Sequence, residues 1–287
     1  VAAIKEGVPS MVGHEVGVSS DGRLAYLPLY GDAGVGRPGT DGQLMLVIDI
    51  ASRKIVDRVD FGHGVRPHCV LYERRSGLLY VTTELDHAIT IVDPRTLKAV
   101  GIPTQQEQSH MLAISHDGRR GYTANVGPGT VSVLDLTTRK FITTIPISQT
   151  TQRISVSNDD RLVFTADQTK PRMAVIDAAT NALKSWLPLP SVGYGSAFTP
   201  DGHWLLVTLP TVGELAVVDL ETMQVARSIP IGPKPQEVLV TPDGMLASAS
   251  CFGGHQAAVI DLINWRVQAT IEVGPKADGM AWIQPVN

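Results

Sequence analysis

Cysteine is nearly absent from this 287-residue chain, which has only Cys69 and Cys251. Two thiols make no disulfide framework, and their positions fall in different sequence repeats, beyond the roughly 7 Å Cα separation that a bridge tolerates. Cys69 reads as a small buried hydrophobe; Cys251, at a strand end near a loop, is open to a packing or a reactive role. Aromatic residues are scarce at 5%, and no apolar run approaches the length of a membrane span. Basic charge is not in excess either, since 24 Lys and Arg face 28 Asp and Glu for a net charge of −4. Without a local run of Lys or Arg, the chain has no field to hold a phosphate backbone, which excludes nucleic acid as the expected partner. A Gly-x-Ser-x-Gly elbow, a His-Glu-x-x-His motif and a dinucleotide fingerprint are all missing.

What the chain has is a period. Asp49, Asp93, Asp135, Asp177, Asp219 and Asp261 each end an apolar run and recur about every 42 residues. Within one period, Ser109–Ile114 alternates like a strand and Ser115-His116-Asp117-Gly118 is a turn. Gly121–Asn125, Val131–Asp135 and Phe141–Ile147 then supply three more strands. Four short antiparallel strands per period is a propeller blade, and 27 glycines with 43% hydrophobic residues suit such a fold. Because a lone blade cannot bury both faces, residues 1–287 are expected to form a single domain. Blades are expected near 8–62, 63–104, 105–148, 149–190, 191–232 and 233–274.

The two ends resemble parts of one more blade. Val1–Gly7 matches the fourth strand Gln268–Gly274, and Pro275–Ile283 matches a first strand. The expectation is thus an all-β, seven-bladed β-propeller of four-stranded antiparallel blades, its seventh blade lacking two middle strands that the natural chain would carry upstream of Val1. Six blades with two stray end strands is the alternative. No initiator Met or signal peptide can be read. Blade 1 also carries a long segment, Pro28 to Gln43, between its second and third strands, a place where repeat proteins keep function.

The strands Leu79–Thr83 and Gly121–Asn125, the run Gly129–Asp135 and the proline-rich entry Gly232–Val238 resemble the YVTN repeat family of β-propellers. The resemblance implies relatives among surface-layer proteins, periplasmic propellers, propeller lactonases and the haem-binding propeller of nitrite reductase. It implies a periplasmic or extracytoplasmic location.

Aligned on their turns, the first strands place His14, His68, His110, Gln152, Tyr194, Gln236 and Asp278 at one repeat position. That position is expected at the mouth of the propeller channel. His14, His68 and His110 come from three successive blades, and imidazoles so gathered suit a divalent transition metal bound facially, with positions left for substrate. Polar side chains that only hold channel water are the plain alternative. Glu84 or Glu15 is expected to orient a ligand or act as general base, with Tyr194 and Arg153 positioning substrate. His63, His87, His116, His203 and His255 read as surface or loop residues. The resulting expectation is a metal-dependent enzyme acting on a small-molecule ligand at the channel mouth, hydrolase- or lyase-like by the lactonase resemblance, or redox by the haem-binding one. Its rival is a non-catalytic scaffold for a protein or cell-envelope ligand.

Overall fold

The computed structural model describes Ile4, Gly7 and residues 11–283. Along them run six antiparallel sheets, each a meander of strands in chain order. Blade 1 is built from Leu24–Gly31, Asp41–Asp49 and Lys54–Asp60, preceded by a first strand broken into Val12–Gly13 and Gly17–Val18. The other five are four-stranded and span 67–103, 109–146, 151–188, 196–230 and 235–272. This is the expected all-β propeller of four-stranded blades. Two compact units divide it, one of residues 2–144 with 281–287 and one of 145–280, the boundary falling in the last strand of blade 3.

The 42-residue period has a local cause. Each periodic Asp accepts backbone N–H groups of the turn that follows it: Asp135 Oδ1 from Thr138, Asp177 Oδ1 from Ala179 and Thr180, Asp219 Oδ1 from Glu221 and Thr222. Four residues after the Asp, the chain takes left-handed φ at Arg53, Leu97, Arg139, Asn181, Met223 and Trp265. The turn after the first strand is equally regular, because a hydroxyl donates to the Asp two residues on, as Ser115 does to Asp117 and Ser157 to Asp159. Such side-chain bonds stabilise a turn by about 1 kcal/mol each. Repetition of these two devices fixes strand lengths, and strand lengths fix the blade.

Packing lies between blades. Tyr26, Met45 and Val47 of blade 1 meet Val70, Leu79 and Val81 of blade 2. Within the other unit, Phe164, Met173 and Val175 of blade 4 meet Leu205, Val207 and Val218 of blade 5. Each such side chain contributes about 1.5–3 kcal/mol through burial, so second and third strands read as apolar runs while fourth strands alternate with solvent.

Two expectations need correction. Among the described residues there are six blades rather than seven. Asp278–Ile283 belongs to no strand; with no middle strands beside it, its polar groups are met by side chains instead, Asp278 by Arg153 and the Met280 N–H by Glu237. Of Val1–Gly7, only Ile4 and Gly7 are described, neither in a strand, and the rest of that expected strand lies outside the described residues. The blade-1 insertion is also shorter than read, since Gly31 pairs with Asp41 and only 32–40 loop out. Asp32 closes that loop by accepting from Thr40 N (2.7 Å) and Thr40 Oγ1 (3.1 Å).

Candidate functional site

The residues at the shared repeat position sit where ladders slip. In blade 3, Ser109 pairs with Asn125 and Met111 with Ala124, which leaves His110 as the extra residue of a β-bulge. Blade 2 slips between Pro67 and Val70, around His68. His14 occupies the break between the two pieces of the first strand of blade 1. A bulge re-aims the side chain it carries, which is why a position flanked by regular strand can face away from the blade-on-blade core.

The bulges are backed by buried hydroxyls. Thr82 Oγ1 accepts from Cys69 N (2.9 Å) and donates to the His110 carbonyl (2.9 Å), tying blade 2 to blade 3. Beside His110, Ser109 donates to Asn125 Oδ1 (2.7 Å) while Asn125 Nδ2 donates to Ser132 (2.9 Å). These backbone and side-chain groups thus gain partners where the ladder is interrupted, as burial favours.

Three imidazoles meet in this half of the chain. The ring centroids of His68 and His110 are 3.6 Å apart with planes at 31°, and His14 lies 5.4 Å from His68. Tyr30 stands edge-on to all three, at 5.6, 5.3 and 5.6 Å from His14, His68 and His110. Rings in a stack present faces to one another, whereas facial ligands must aim nitrogens at one point. Among the described residues no group of three or more His, Cys, Asp or Glu is placed to hold a metal ion. The three imidazoles thus lie together, with His68 and His110 turned face to face.

Glu84 organises the cluster. It lies on the single helical turn Glu84–Asp86 at the end of the second strand of blade 2 and is 1% exposed. Its Oε2 accepts from the Tyr30 hydroxyl at 2.6 Å and lies 3.1 Å from His110 Nδ1. Its Oε1 faces Gly36 N of the blade-1 loop at 3.5 Å and Arg66 Nη1 at 3.9 Å. Burial works to raise the Glu84 carboxyl, but the hydrogen bonds of His110 and Tyr30 and the imidazole charge prevail and hold it below the usual carboxylate range. Tyr30 is pushed well above the ordinary phenol range, first by burial and then by the Glu84 charge. Arg66, at φ 49°, donates to Asp41 Oδ1 (2.6 Å) and to the Arg37 carbonyl (2.8 Å), so the loop is anchored to blade 2. Glu15 is buried next to His14 in the chain.

Tyr194 and Arg153 belong to the 145–280 unit. Arg153 is the bulge residue of blade 4, 5% exposed, with its guanidinium carbon 5.2 Å from the Tyr194 ring centroid. Its Nη2 donates to Asp278 at 2.9 Å and its Nη1 lies 3.9 Å from Glu237. Two carboxylates around one guanidinium leave this site net negative.

Sequence reasoning missed Tyr30, Arg66 and Thr82. Tyr30 was hidden in what reads as an insertion. Arg66 had a periodic signal, because Arg66, Gln108 and Lys234 all stand two residues before the shared position and all take positive φ. Of the remaining histidines, His63 and His87 are exposed, His63 pairing with Asp86 at 2.8 Å. Both cysteines are buried thiols, Cys69 Sγ lying 3.7 Å from the Leu112 carbonyl and Cys251 Sγ 3.5 Å from the Ile231 carbonyl, and burial pushes the Cys251 thiol up.

A sequence profile of the Cytochrome D1 heme domain, a β-propeller family, matches residues 73–194. In structure the chain is similar to Kuenenia stuttgartiensis hydrazine synthase, at 15% identity and a TM-score of 0.80, over 97% of this chain and 91% of that one. No curated protein sequence matches significantly. Among the described residues no helix is long and apolar enough to cross a membrane.

Proposed function

We propose that the Tyr30–Glu84–His110 cluster of blades 1–3 is the protein side of a redox site for a haem-type iron cofactor. The observation that carries this reading is the hydrogen bond between His110 Nδ1 and the buried Glu84 carboxylate. A carboxylate on Nδ1 fixes the proton there and leaves the Nε2 lone pair for a metal, the usual companion of a ligating histidine. The donor chemistry of the cluster fits one imidazole ligand to iron, with His68 and His14 as further imidazoles beside it. When bound, such a group supplies one-electron chemistry. Glu84 orients His110, and Tyr30 holds a proton on the same carboxylate oxygen. Arg66 and the 32–40 loop restrict water. Glu15 is assigned a supporting role at His14. In the other unit, Arg153 and Tyr194 would position a polar, non-anionic ligand group. The partial likeness to the Cytochrome D1 heme domain supports haem over other metals, and the YVTN-like strands are compatible with an extracytoplasmic setting.

A second reading, a non-catalytic small-molecule or envelope-binding scaffold, is favoured by the stacking of His68 on His110. Titration of the purified protein with hemin, followed in the Soret band, separates the two. Saturable one-to-one uptake that His110→Ala abolishes, with circular dichroism unchanged, is the expected result, and Glu84→Gln should weaken uptake by about 10–100-fold. Absence of saturable uptake, or uptake indifferent to His110→Ala, overturns the haem reading and leaves the scaffold.

A further inference from the structure

Blades 4, 5 and 6 repeat with a fixed step, from Asp177 to Asp219 to Asp261, so the grooves between them can be compared residue by residue. The groove of blades 5 and 6 is filled by its own side chains. Trp204 and Trp265 meet there with ring centroids 5.4 Å apart at 71°, and the Arg227 guanidinium carbon lies 4.8 Å from the Trp265 ring centroid. A cavity of only about 160 Å³ remains beside them. In the groove of blades 4 and 5, the same three repeat positions hold Leu162, Met223 and Ser185. There the cavity is about 480 Å³. One groove is filled by an indole pair and a cation; the other has the space, with neither an indole nor an arginine at those three positions.

The walls of the larger cavity suit what is missing. Its apolar side is Leu162, Phe198, Leu220 and the buried Phe164, with Phe164 and Phe198 edge to face at 5.5 Å between centroids. Its polar side carries Asp159 and Asp201. Both carboxylates make their turn hydrogen bonds through Oδ1, to Ser157 and Arg161 N in one case and Thr199 and His203 N in the other. Their Oδ2 atoms take no part in those turns. For Asp159, burial works against the charge, and the Ser157 and Arg161 N–H bonds with the Arg161 charge together outweigh it; for Asp201 the Thr199 bond dominates; both are held below the usual carboxylate range. The cavity thus joins a ring-shaped apolar floor to fixed negative charge, a combination selective for a flat aromatic body with a cationic end.

We infer that the groove between blades 4 and 5 is a binding site for a small planar aromatic amine, whose ring and charge take the places of Trp204, Trp265 and Arg227 in the neighbouring groove. The site is separate from the histidine cluster and does not depend on haem binding.

The test uses the full chain and tryptamine as probe, with indole-3-propionate as the charge-reversed control, in calorimetric or ligand-observed NMR titrations. Tryptamine should bind saturably at one site, about tenfold tighter than the control, as two partly solvated ion pairs allow. Leu162→Trp, which installs the residue of the adjacent groove, should abolish binding. The double change Asp159→Asn and Asp201→Asn keeps the turn acceptors and should bring the two probes to near parity; it decides the question if Leu162→Trp does not fold. The inference fails if tryptamine shows no saturable binding at millimolar concentration, if the control binds as well, or if Leu162→Trp or the double change leaves tryptamine affinity unaltered.

Discussion

Blades 1–3 and blades 4–6 each hold a buried arginine in left-handed backbone, Arg66 at φ 49° and Arg153 at φ 52°. Each arginine lies against a tyrosine, 5.7 Å from Tyr30 in one half and 5.2 Å from Tyr194 in the other. Each also has two carboxylates at hand, Asp41 and Glu84 or Asp278 and Glu237. The ingredients match, but the carboxylates are used differently. In blades 4–6 Asp278 pairs with the arginine, and Glu237, 3.9 Å from it, accepts from the Met280 N–H, so both carboxylates meet a permanent cation or a backbone amide. In blades 1–3 Asp41 serves Arg66, while Glu84 gives its closest contacts to a phenol and an imidazole. Chemistry is available only where the carboxylate acts on a titratable ring rather than on a permanent cation.

Removing the shared carboxylate should therefore be the harsher injury. Glu84→Ala takes the carboxylate from Tyr30 and His110 in an interior where Glu84 itself is 1% exposed, and should cost about 4 kcal/mol in urea denaturation. Arg153→Met, by contrast, leaves two carboxylates that still reach solvent, at 14% and 18% exposure. A loss of about 2 kcal/mol is expected, with faster amide exchange around Met280. Equal costs for the two substitutions would erase the distinction between the halves.

Acid sharpens the same contrast. Glu84 is depressed in the folded state, so between its folded value and the ordinary carboxylate value the unfolded chain binds more protons, and stability rises with pH. The Glu84 contribution is fully present above the unfolded value of about 4.3 and is lost as pH falls through the folded value. Denaturation midpoints measured from pH 6 to pH 3 should fall more steeply for the wild type than for Glu84→Gln. Parallel curves would mean that the His110 and Tyr30 contacts do not hold the charge.

Much of the fold was legible because its causes are local. An Asp that accepts N–H groups two and three residues on, and a Ser or Thr that donates to the next Asp, are visible in sequence and repeat with the blades. The seventh blade was misread because strand pairing is not local: Asp278–Ile283 has first-strand chemistry but finds Arg153 and Glu237 in place of a ladder. The shared position of His14, His68 and His110 was legible too. Their stacking was not, since it follows from bulges and from Glu84 and Tyr30, contributed by other strands. The groove at Leu162 was harder still, as it is defined by indoles that are not there.

The smallest expected effect tests whether the bulges are one device in both halves. Thr82 Oγ1 links Cys69 N to the His110 carbonyl, and Thr208 Oγ1 likewise accepts from Gly195 N (2.8 Å) and donates to the Gln236 carbonyl (2.6 Å). Valine has the shape of threonine without the hydroxyl, so Thr82→Val removes the bridge between the Cys69 amide and the His110 carbonyl, whereas after Thr208→Val the Gly195 amide still reaches the Gln236 carbonyl directly, at 3.2 Å. Thr82→Val should cost about 1 kcal/mol and Thr208→Val less. Their consequences should part at the imidazole. Freeing the His110 carbonyl loosens the bulge that aims the ring at Glu84, so Thr82→Val should shift the His110 ring resonances in NMR and weaken hemin uptake, whereas Thr208→Val should do neither. If both substitutions perturb His110 alike, the site is governed by general stability and not by the local bulge. If Thr82→Val leaves His110 untouched, Glu84 and Tyr30 alone set the ring.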